Sequence, residues 1–174
     1  FLHKRQNHYM QRALNLACNV RILKLYHKKK KGQGQKKMTD IILIGCNGRM
    51  GQMITDIVAK DEEARIVAGI DPFTGKEQEY PVFASLKECD VKADAMIDFS
   101  SAVGVEERID CAIKKQIPLV ECSTGLSKEQ TDYLLDAGKK VAILRSANMS
   151  VGVNLLIKLL KEASQKLASE GFDI

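Results

Sequence analysis

The residue pattern most suited to binding chemistry lies at 41–51 and reads Ile-Ile-Leu-Ile-Gly-Cys-Asn-Gly-Arg-Met-Gly. An apolar run ends in glycines at 45, 48 and 51, and apolar residues then recur at helical spacing. This pattern predicts a strand, a tight turn and the start of a helix. The first glycine permits the turn, the second lets the backbone approach a phosphate, and the third lets the helix pack closely. Because helix N-termini attract anions, the pattern predicts pyrophosphate binding.

Asp71 strengthens this interpretation. It ends the next apolar run and follows Gly51 by twenty residues. An acid at this place in a nucleotide-binding fold hydrogen-bonds the adenosine ribose. Its charge would repel a 2′-phosphate, so it favours NADH. Two alternatives remain open, because glycine turns also close ordinary strand–helix units and Asp-Pro at 71–72 commonly starts a turn.

Strands and helices alternate along the chain from Met38. This order predicts an α/β fold with a Rossmann-like, doubly wound parallel sheet. The predicted strands are 40–45, 65–71, 94–99, 117–121 and 140–144. The predicted helices are 49–60, 101–115, 127–138 and 152–169, with a short helical turn near 85–89.

Ligands of such sheets bind beyond the carboxyl ends of the strands. Small polar residues follow three of the predicted strands, in the segments 98–101, 122–125 and 145–150. Their side chains and backbone N–H groups could hydrogen-bond a sugar or a carboxamide. The same residue types are also ordinary loop formers.

Composition excludes several classes of protein. The chain has 174 residues, of which 45% are hydrophobic. No apolar run reaches the roughly 20 residues of a membrane span. Five cysteines without a C-x-x-C pair indicate a reduced, cytoplasmic protein with no disulfide framework and no metal site.

Charge divides the chain into two segments. Residues 1–37 contain 11 of the 27 Lys and Arg, all three histidines and no acid, which leaves 16 basic against 22 acidic residues after them. The later segment is therefore not an obvious nucleic-acid binder. For the basic leader 1–37 three interpretations stay open: a transit peptide, a basic arm, or an over-extended reading frame ahead of Met38.

Four motifs together resemble the 4-hydroxy-tetrahydrodipicolinate reductases, formerly called dihydrodipicolinate reductases. They are Gly45-Cys-Asn-Gly-Arg-Met-Gly51, Ile97-Asp-Phe-Ser100, Cys122-Ser-Thr-Gly125 and Ser146-Ala-Asn-Met-Ser-Val-Gly-Val-Asn154. The resemblance covers residues 38–174. It implies NAD(P)H-dependent reduction of 4-hydroxy-tetrahydrodipicolinate to tetrahydrodipicolinate in lysine and diaminopimelate biosynthesis. It also implies a small dicarboxylate substrate, a homotetramer as the full-length protein, and no membrane or nucleic-acid partner.

The resemblance also implies the cofactor site, for NADH by preference and NADPH as well. The first loop would bind the phosphates, the acid the ribose, and the later loops the nicotinamide half. The implied cofactor-binding residues are Gly45, Cys46, Asn47, Gly48, Arg49, Met50, Gly51, Asp71, Phe99, Cys122, Ser123, Thr124, Gly125, Ser146, Ala147, Asn148 and Met149.

The chain departs from the family pattern at three places. Cys122 and Ser123 replace the first two residues of Gly-Thr-Thr-Gly, and Met149 replaces Phe. The family's His and Lys motif would lie beyond Ile174, so no catalytic residue is expected within the chain. The implied domains are a leader at 1–37, a dinucleotide-binding domain at 38–150, and the start of an α+β substrate and tetramerisation domain at 151–174, truncated there.

Two other functions remain possible. The chain could be a stand-alone dinucleotide-binding module with a sensing or scaffolding role. It could also belong to another amino-acid-pathway dehydrogenase with the same first domain, although the stretch 146–154 argues against that by resemblance.

Overall fold

The computed structural model describes residues 38–146 and 151–172. These fall into two compact units, one ending at Ala147 and one containing the last helix. The leader 1–37 and the segment 147–150 lie outside the described residues.

Within the described residues, the first unit is a six-stranded sheet with three helices. All neighbouring strands are parallel, and the spatial order is β3-β2-β1-β4-β5-β6. This is the strand order of a doubly wound nucleotide-binding fold, so the predicted fold class is confirmed. The elements are β1 (Thr39–Ile44), α1 (Arg49–Val58), β2 (Ala64–Ile70), β3 (Val82–Phe83), β4 (Ala95–Asp98), α2 (Val105–Lys115), β5 (Leu119–Glu121), α3 (Lys128–Ala137) and β6 (Ile143–Arg145).

Both faces of β1 are buried. Ile42 and Ile44 join one continuous core with residues of α2 and α3, such as Ile109 and Leu134. Ile41 and Leu43 point to the opposite face and are also buried. A central parallel strand buried on both faces explains why 41–44 is apolar without alternation.

The sequence prediction missed β3. Its two residues pair with Gly69 and Ile70 of β2. The segment near 85–89 is a hydrogen-bonded turn rather than a helix, with Glu88 N donating to Ser85 O and Cys89 N to Leu86 O. The predicted order of the other elements is correct, with ends shifted by a few residues.

The second unit contains α4 (Val151–Ser169). Its large apolar side chains from 153 to 167 are about half exposed. No helix of the two described ranges is long and apolar enough to cross a membrane.

Candidate functional site

The residues at the carboxyl edge of the sheet change from apolar on one side to charged on the other. The last paired residues of the strands lie in one row and on one face. They are apolar on β3, β2 and β1 and charged on β4, β5 and β6. In spatial order they are Phe83, Ile70, Ile44, Asp98, Glu121 and Arg145.

A cavity of about 1200 Å³ opens at this edge. Its walls come from the loops that follow β1, β2 and β4, together with the start of α2. Five predicted cofactor-binding residues line it: Gly45, Asn47, Gly48, Asp71 and Phe99. The structure therefore brings the predicted phosphate loop, the predicted ribose acid and the β4 loop together around one space.

Glycines shape the loop after β1. Gly45 has φ +77°, and a Cβ there would lie 2.9 Å from the backbone of Phe99. A Cβ on Gly51 would lie 2.2 Å from the Gly45 carbonyl oxygen, a distance that no side chain can accept. Gly48 differs, because its Cβ would meet only that same oxygen, at an ordinary 3.4 Å. Two of the three glycines are required by the fold itself, whereas Gly48 leaves open space at the cavity.

The N-terminus of α1 begins beside that space. Its N-cap is Gly48, no side chain caps it, and its first turn contains no acid. By contrast, Ser127 caps α3 through a reciprocal capping box with Gln130. The first turn of α1 therefore keeps its partial positive charge for an anion from outside. Arg49 is exposed and Met50 half-buried in this turn.

Asp71 connects the loops after β1 and β2. One carboxylate oxygen accepts the Asn47 N–H at 3.0 Å, and the other accepts the Phe73 N–H at 3.0 Å. The Asn47 amide also donates to the Phe73 carbonyl and accepts from Gln78 Nε2 at 2.8 Å. Asp71 is therefore a structural acceptor in addition to its predicted place at the ribose. Sequence reasoning missed Asn47 and Gln78 as partners, because only the folded loops bring them together.

Asp98 and Arg108 form a buried ion pair under the β4 loop. The second Asp98 oxygen accepts the backbone N–H of Ser100 at 2.8 Å and its hydroxyl at 2.6 Å. Arg108 also donates to the carbonyls of Ser101 and Val103. Arg108 thus ties the whole loop to α2. It was not among the predicted residues, although a buried acid at a strand end signals the need for a cation.

Glu121 has a similar role at the end of β5. Its Oε1 accepts the Ser123 N–H at 2.8 Å and the Ser123 hydroxyl. Burial, and then the neighbouring Asp98 carboxylate, raise the pKa of Glu121 to about 7. Cys122 and Ser123 are buried, so Thr124 and Gly125 are the exposed residues of this predicted loop.

Cys46 faces away from the cavity. It is fully buried, and a Cβ on Gly69 would lie 2.6 Å from its Sγ. Burial, and then Asp71, raise the pKa of the thiol to about 11, so it stays protonated and unreactive at neutral pH. The side chain fills space, and only its backbone belongs to the phosphate loop.

The last predicted segment is only partly described. Ser146 continues the sheet beyond β6, since its N–H donates to the Glu121 carbonyl at 2.9 Å. Ala147, Asn148 and Met149 lie outside the described residues. Within the described ranges no cluster of three or more His, Cys, Asp or Glu could hold a metal ion.

Comparison with known proteins assigns the chain to a family. The family model for the N-terminus of dihydrodipicolinate reductase matches residues 39–149. The chain belongs to this family. The resemblance carried by the four sequence motifs is thereby confirmed.

Curated relatives carry the name 4-hydroxy-tetrahydrodipicolinate reductase. The protein of Clostridium novyi is 43% identical over 137 residues, which are 79% of this chain and 54% of the relative. That of Caldanaerobacter subterraneus is 42% identical, covering 79% of this chain and 53% of the relative. The chain therefore spans about half the length of the curated relatives it matches.

Solved structures agree on the fold. Dipicolinate-bound dihydrodipicolinate reductase from Paenisporosarcina sp. TG-14 has a TM-score of 0.63 at 23% identity, covering 73% of this chain and 54% of that one. The WlbA dehydrogenase from Chromobacterium violaceum, in complex with NADH and UDP-GlcNAcA, has a TM-score of 0.57 at 20% identity, covering 78% and 41%.

Proposed function

We propose that residues 38–150 form the cofactor-binding domain of an NAD(P)H-dependent reductase. The reaction is the reduction of 4-hydroxy-tetrahydrodipicolinate to tetrahydrodipicolinate, in lysine and diaminopimelate biosynthesis. The observation that carries the proposal is the loop after β1. Its glycines leave the uncapped N-terminus of α1 open to the cavity, in a chain of the dihydrodipicolinate reductase family.

The phosphate loop fits the cofactor's pyrophosphate. The backbone N–H groups of the first turn of α1, in residues 49–51, would donate to its oxygens. The open position at Gly48 lets these atoms approach the backbone. Arg49 is exposed beside them and supplies a positive charge.

Asp71 and Lys76 would set the preference between the two cofactors. Both line the cavity next to the loop. The Asp71 carboxylate keeps free lone pairs for ribose hydroxyls and would repel a 2′-phosphate, which favours NADH. Lys76 would attract that phosphate, so the preference should be moderate.

The nicotinamide half would lie along the ends of β4, β5 and β6. Phe99 lines the cavity on this side, and Thr124 and Gly125 are exposed after β5. The cofactor supplies the hydride when bound. These loops would orient its ring, while the family resemblance assigns the proton donor and the binding of the dicarboxylate substrate to the family's His and Lys motif.

We infer a cytoplasmic enzyme that assembles as a homotetramer through the domain beginning at residue 151. The matched relatives are named as reductases, which does not favour a stand-alone sensing or scaffolding module.

Calorimetric titration of the full chain with NADH and with NADPH tests the cofactor site. We expect Gly48→Val to abolish binding of both while leaving the circular dichroism spectrum unchanged, because a side chain there would occupy the phosphate space. Gly75→Val is the matched control, since Gly75 lines the same cavity outside the phosphate turn. Full binding by Gly48→Val would contradict the proposed site.

The same titration tests the cofactor preference. The unmodified chain should bind NADH more tightly than NADPH. Asp71→Asn should narrow the difference and keep an oxygen for the Asn47 N–H, whereas Lys76→Gln should widen it. Tighter NADPH binding that Asp71→Asn leaves unchanged would refute the preference.

A further inference from the structure

Two neighbouring strands end in the same arrangement of a carboxyl group and a serine. Asp98 accepts both the N–H and the hydroxyl of Ser100, two residues later. Glu121 accepts the same two groups of Ser123, again two residues later. Each carboxyl group therefore fixes the first turn of the loop that follows its strand.

The two carboxyl groups differ in their second oxygens. Asp98 Oδ2 faces Arg108 in the buried ion pair. Glu121 Oε2 is buried without a hydrogen-bond partner among the described residues. Asp98 and Glu121 occupy paired positions on β4 and β5, and both side chains are fully buried. Two carboxyl groups therefore share a buried environment in which the ion pair with Arg108 involves only Asp98.

Within the described residues, the charged groups on the elements next to Glu121 are already engaged with other groups. On β4 its neighbour is Asp98, and α2 contributes Arg108, which is engaged with Asp98 and two carbonyls. On β6 its paired residue is Arg145, whose exposed side chain donates to the Thr131 hydroxyl of α3 at 3.0 Å. Burial and the Asp98 charge accordingly raise the pKa of Glu121 to about 7.

We propose that Glu121 is a positioning residue for the loop 122–125, and that this loop binds the cofactor best when the Glu121 carboxyl is protonated. The inference rests on the proposed function, in which this loop contacts the nicotinamide half. In the protonated form Oε1 still accepts from Ser123, and the proton on Oε2 is donated towards Asp98. The loop is then tied to both β4 and β5.

Loss of that proton reverses the effect. Two buried carboxylates then repel each other across neighbouring strands, and the ion pair with Arg108 involves only Asp98. The Oε2 atom becomes a buried charge without a donor, so the end of β5 and its loop should loosen. The affinity for a cofactor held by this loop should fall as the pH rises through neutrality.

Replacing Glu121 with glutamine distinguishes the effects of the two protonation states of its carboxyl group. Glu121→Gln keeps an oxygen for Ser123 and places an N–H where the proton would be, so it imitates the protonated form at every pH. Glu121→Leu removes both interactions. Glu62→Gln is the matched control, because Glu62 is exposed just before β2, at the opposite edge of the sheet.

The test measures NADH binding by the full chain at about pH 6 and about pH 8.5. We expect the unmodified chain and Glu62→Gln to bind NADH roughly fivefold more weakly at the higher pH, a typical coupling between two sites. Glu121→Gln should bind equally at both, with the affinity of the unmodified chain at the lower pH. Glu121→Leu should bind weakly at both. Equal, pH-independent binding by all four proteins would overturn the inference.

A second measurement distinguishes this inference from the proposed function. The backbone amide resonance of Ser123 should shift with pH around a midpoint near 7 in the unmodified chain and stay constant in Glu121→Gln. An amide that does not move in either protein overturns the positioning role even where NADH binds. An amide that titrates in a chain that binds neither NADH nor NADPH overturns the proposed function instead, and with it the effect on cofactor affinity.

Discussion

The two halves of the sheet's carboxyl edge are built on different physical principles. In the glycine half, after β1, position 51 bears no side chain because a Cβ there would lie 2.2 Å from a backbone oxygen. In the carboxylate half, after β4 and β5, buried Asp98 and Glu121 hold each loop through a serine two residues later. One half is fixed by the exclusion of atoms and the other by the placement of charge.

This difference decides how each half responds to change. Steric exclusion does not depend on pH or salt, so the close packing of α1 on the glycine turn should stay the same in all conditions that allow folding. A buried carboxyl group changes its charge and its hydrogen bonds when it takes up a proton. The carboxylate half is therefore the half whose geometry solution conditions can alter.

Gly51→Val should have the largest effect and would break the glycine half. Its Cβ would overlap the Gly45 carbonyl oxygen and the Cys46 backbone, so α1 would have to move away from β1. We expect a loss of several kcal/mol in the free energy of unfolding. Urea denaturation of the full chain measures it. Stability within about 1 kcal/mol of the unmodified chain would show that this close packing does not constrain the fold.

Arg108→Met should come next and would break the carboxylate half. Methionine keeps much of the buried chain but leaves Asp98 without its cation. Removing one partner of a buried ion pair costs about 3–5 kcal/mol. Denaturation at neutral pH measures this cost. The double variant Arg108→Met with Asp98→Asn should recover some of it, and a double variant less stable than the single one would contradict the pairing.

The pH dependence of stability tests whether the carboxylate half responds to protonation. The pKa of Glu121 is raised from 4.5 to about 7 in the folded chain. A raised pKa favours the fold at low pH, and the advantage disappears as the pH rises from about 4.5 to 7. Glu121 should therefore make the chain less stable at pH 8 than at pH 4.

Glu121→Gln provides the control for that effect. The variant should be more stable than the unmodified chain at pH 8, and this advantage should shrink towards pH 5. Urea denaturation of both proteins across this range measures the difference. A constant difference between the two proteins would mean that Glu121 does not titrate in this range.

Cys46→Ala should have the smallest effect. The residue lies inside the glycine half, yet its thiol is buried, protonated and turned away from the cavity. We expect a loss of about 1 kcal/mol in stability and an unchanged affinity for NADH. Complete loss of binding would mean that the thiol, and not only the backbone, contributes to the phosphate loop.

Local sequence patterns predicted most of the fold. Two strongly apolar runs predict β1 and β2, and the glycine turn predicts the start of α1. Each of these patterns lies within a dozen residues of the sequence. The two-residue strand β3 does not, because only its pairing with β2 defines it. The predicted start of the strand at 117 was wrong by two residues, since Pro118 lacks the N–H that a central strand needs.

The sequence predicted more of the candidate site in the glycine half than in the carboxylate half. The glycine half was predicted from the order of strand, glycine turn and helix, together with Asp71 at the end of the next strand. The pairing of Asp98, Arg108 and Glu121 depends on the register between β4 and β5 and on the placement of α2. No spacing rule connects residues that only the folded sheet brings into contact.

The shortness of the edge strands has a consequence for solubility during folding. β3 has two residues and β6 has three. An edge strand presents unpaired backbone groups to which another chain can add a strand. A short edge strand limits this addition because it offers few such groups. Proline at 81, directly before β3, removes one more donor. Aggregation of folded copies by strand addition at these two edges should therefore be slow.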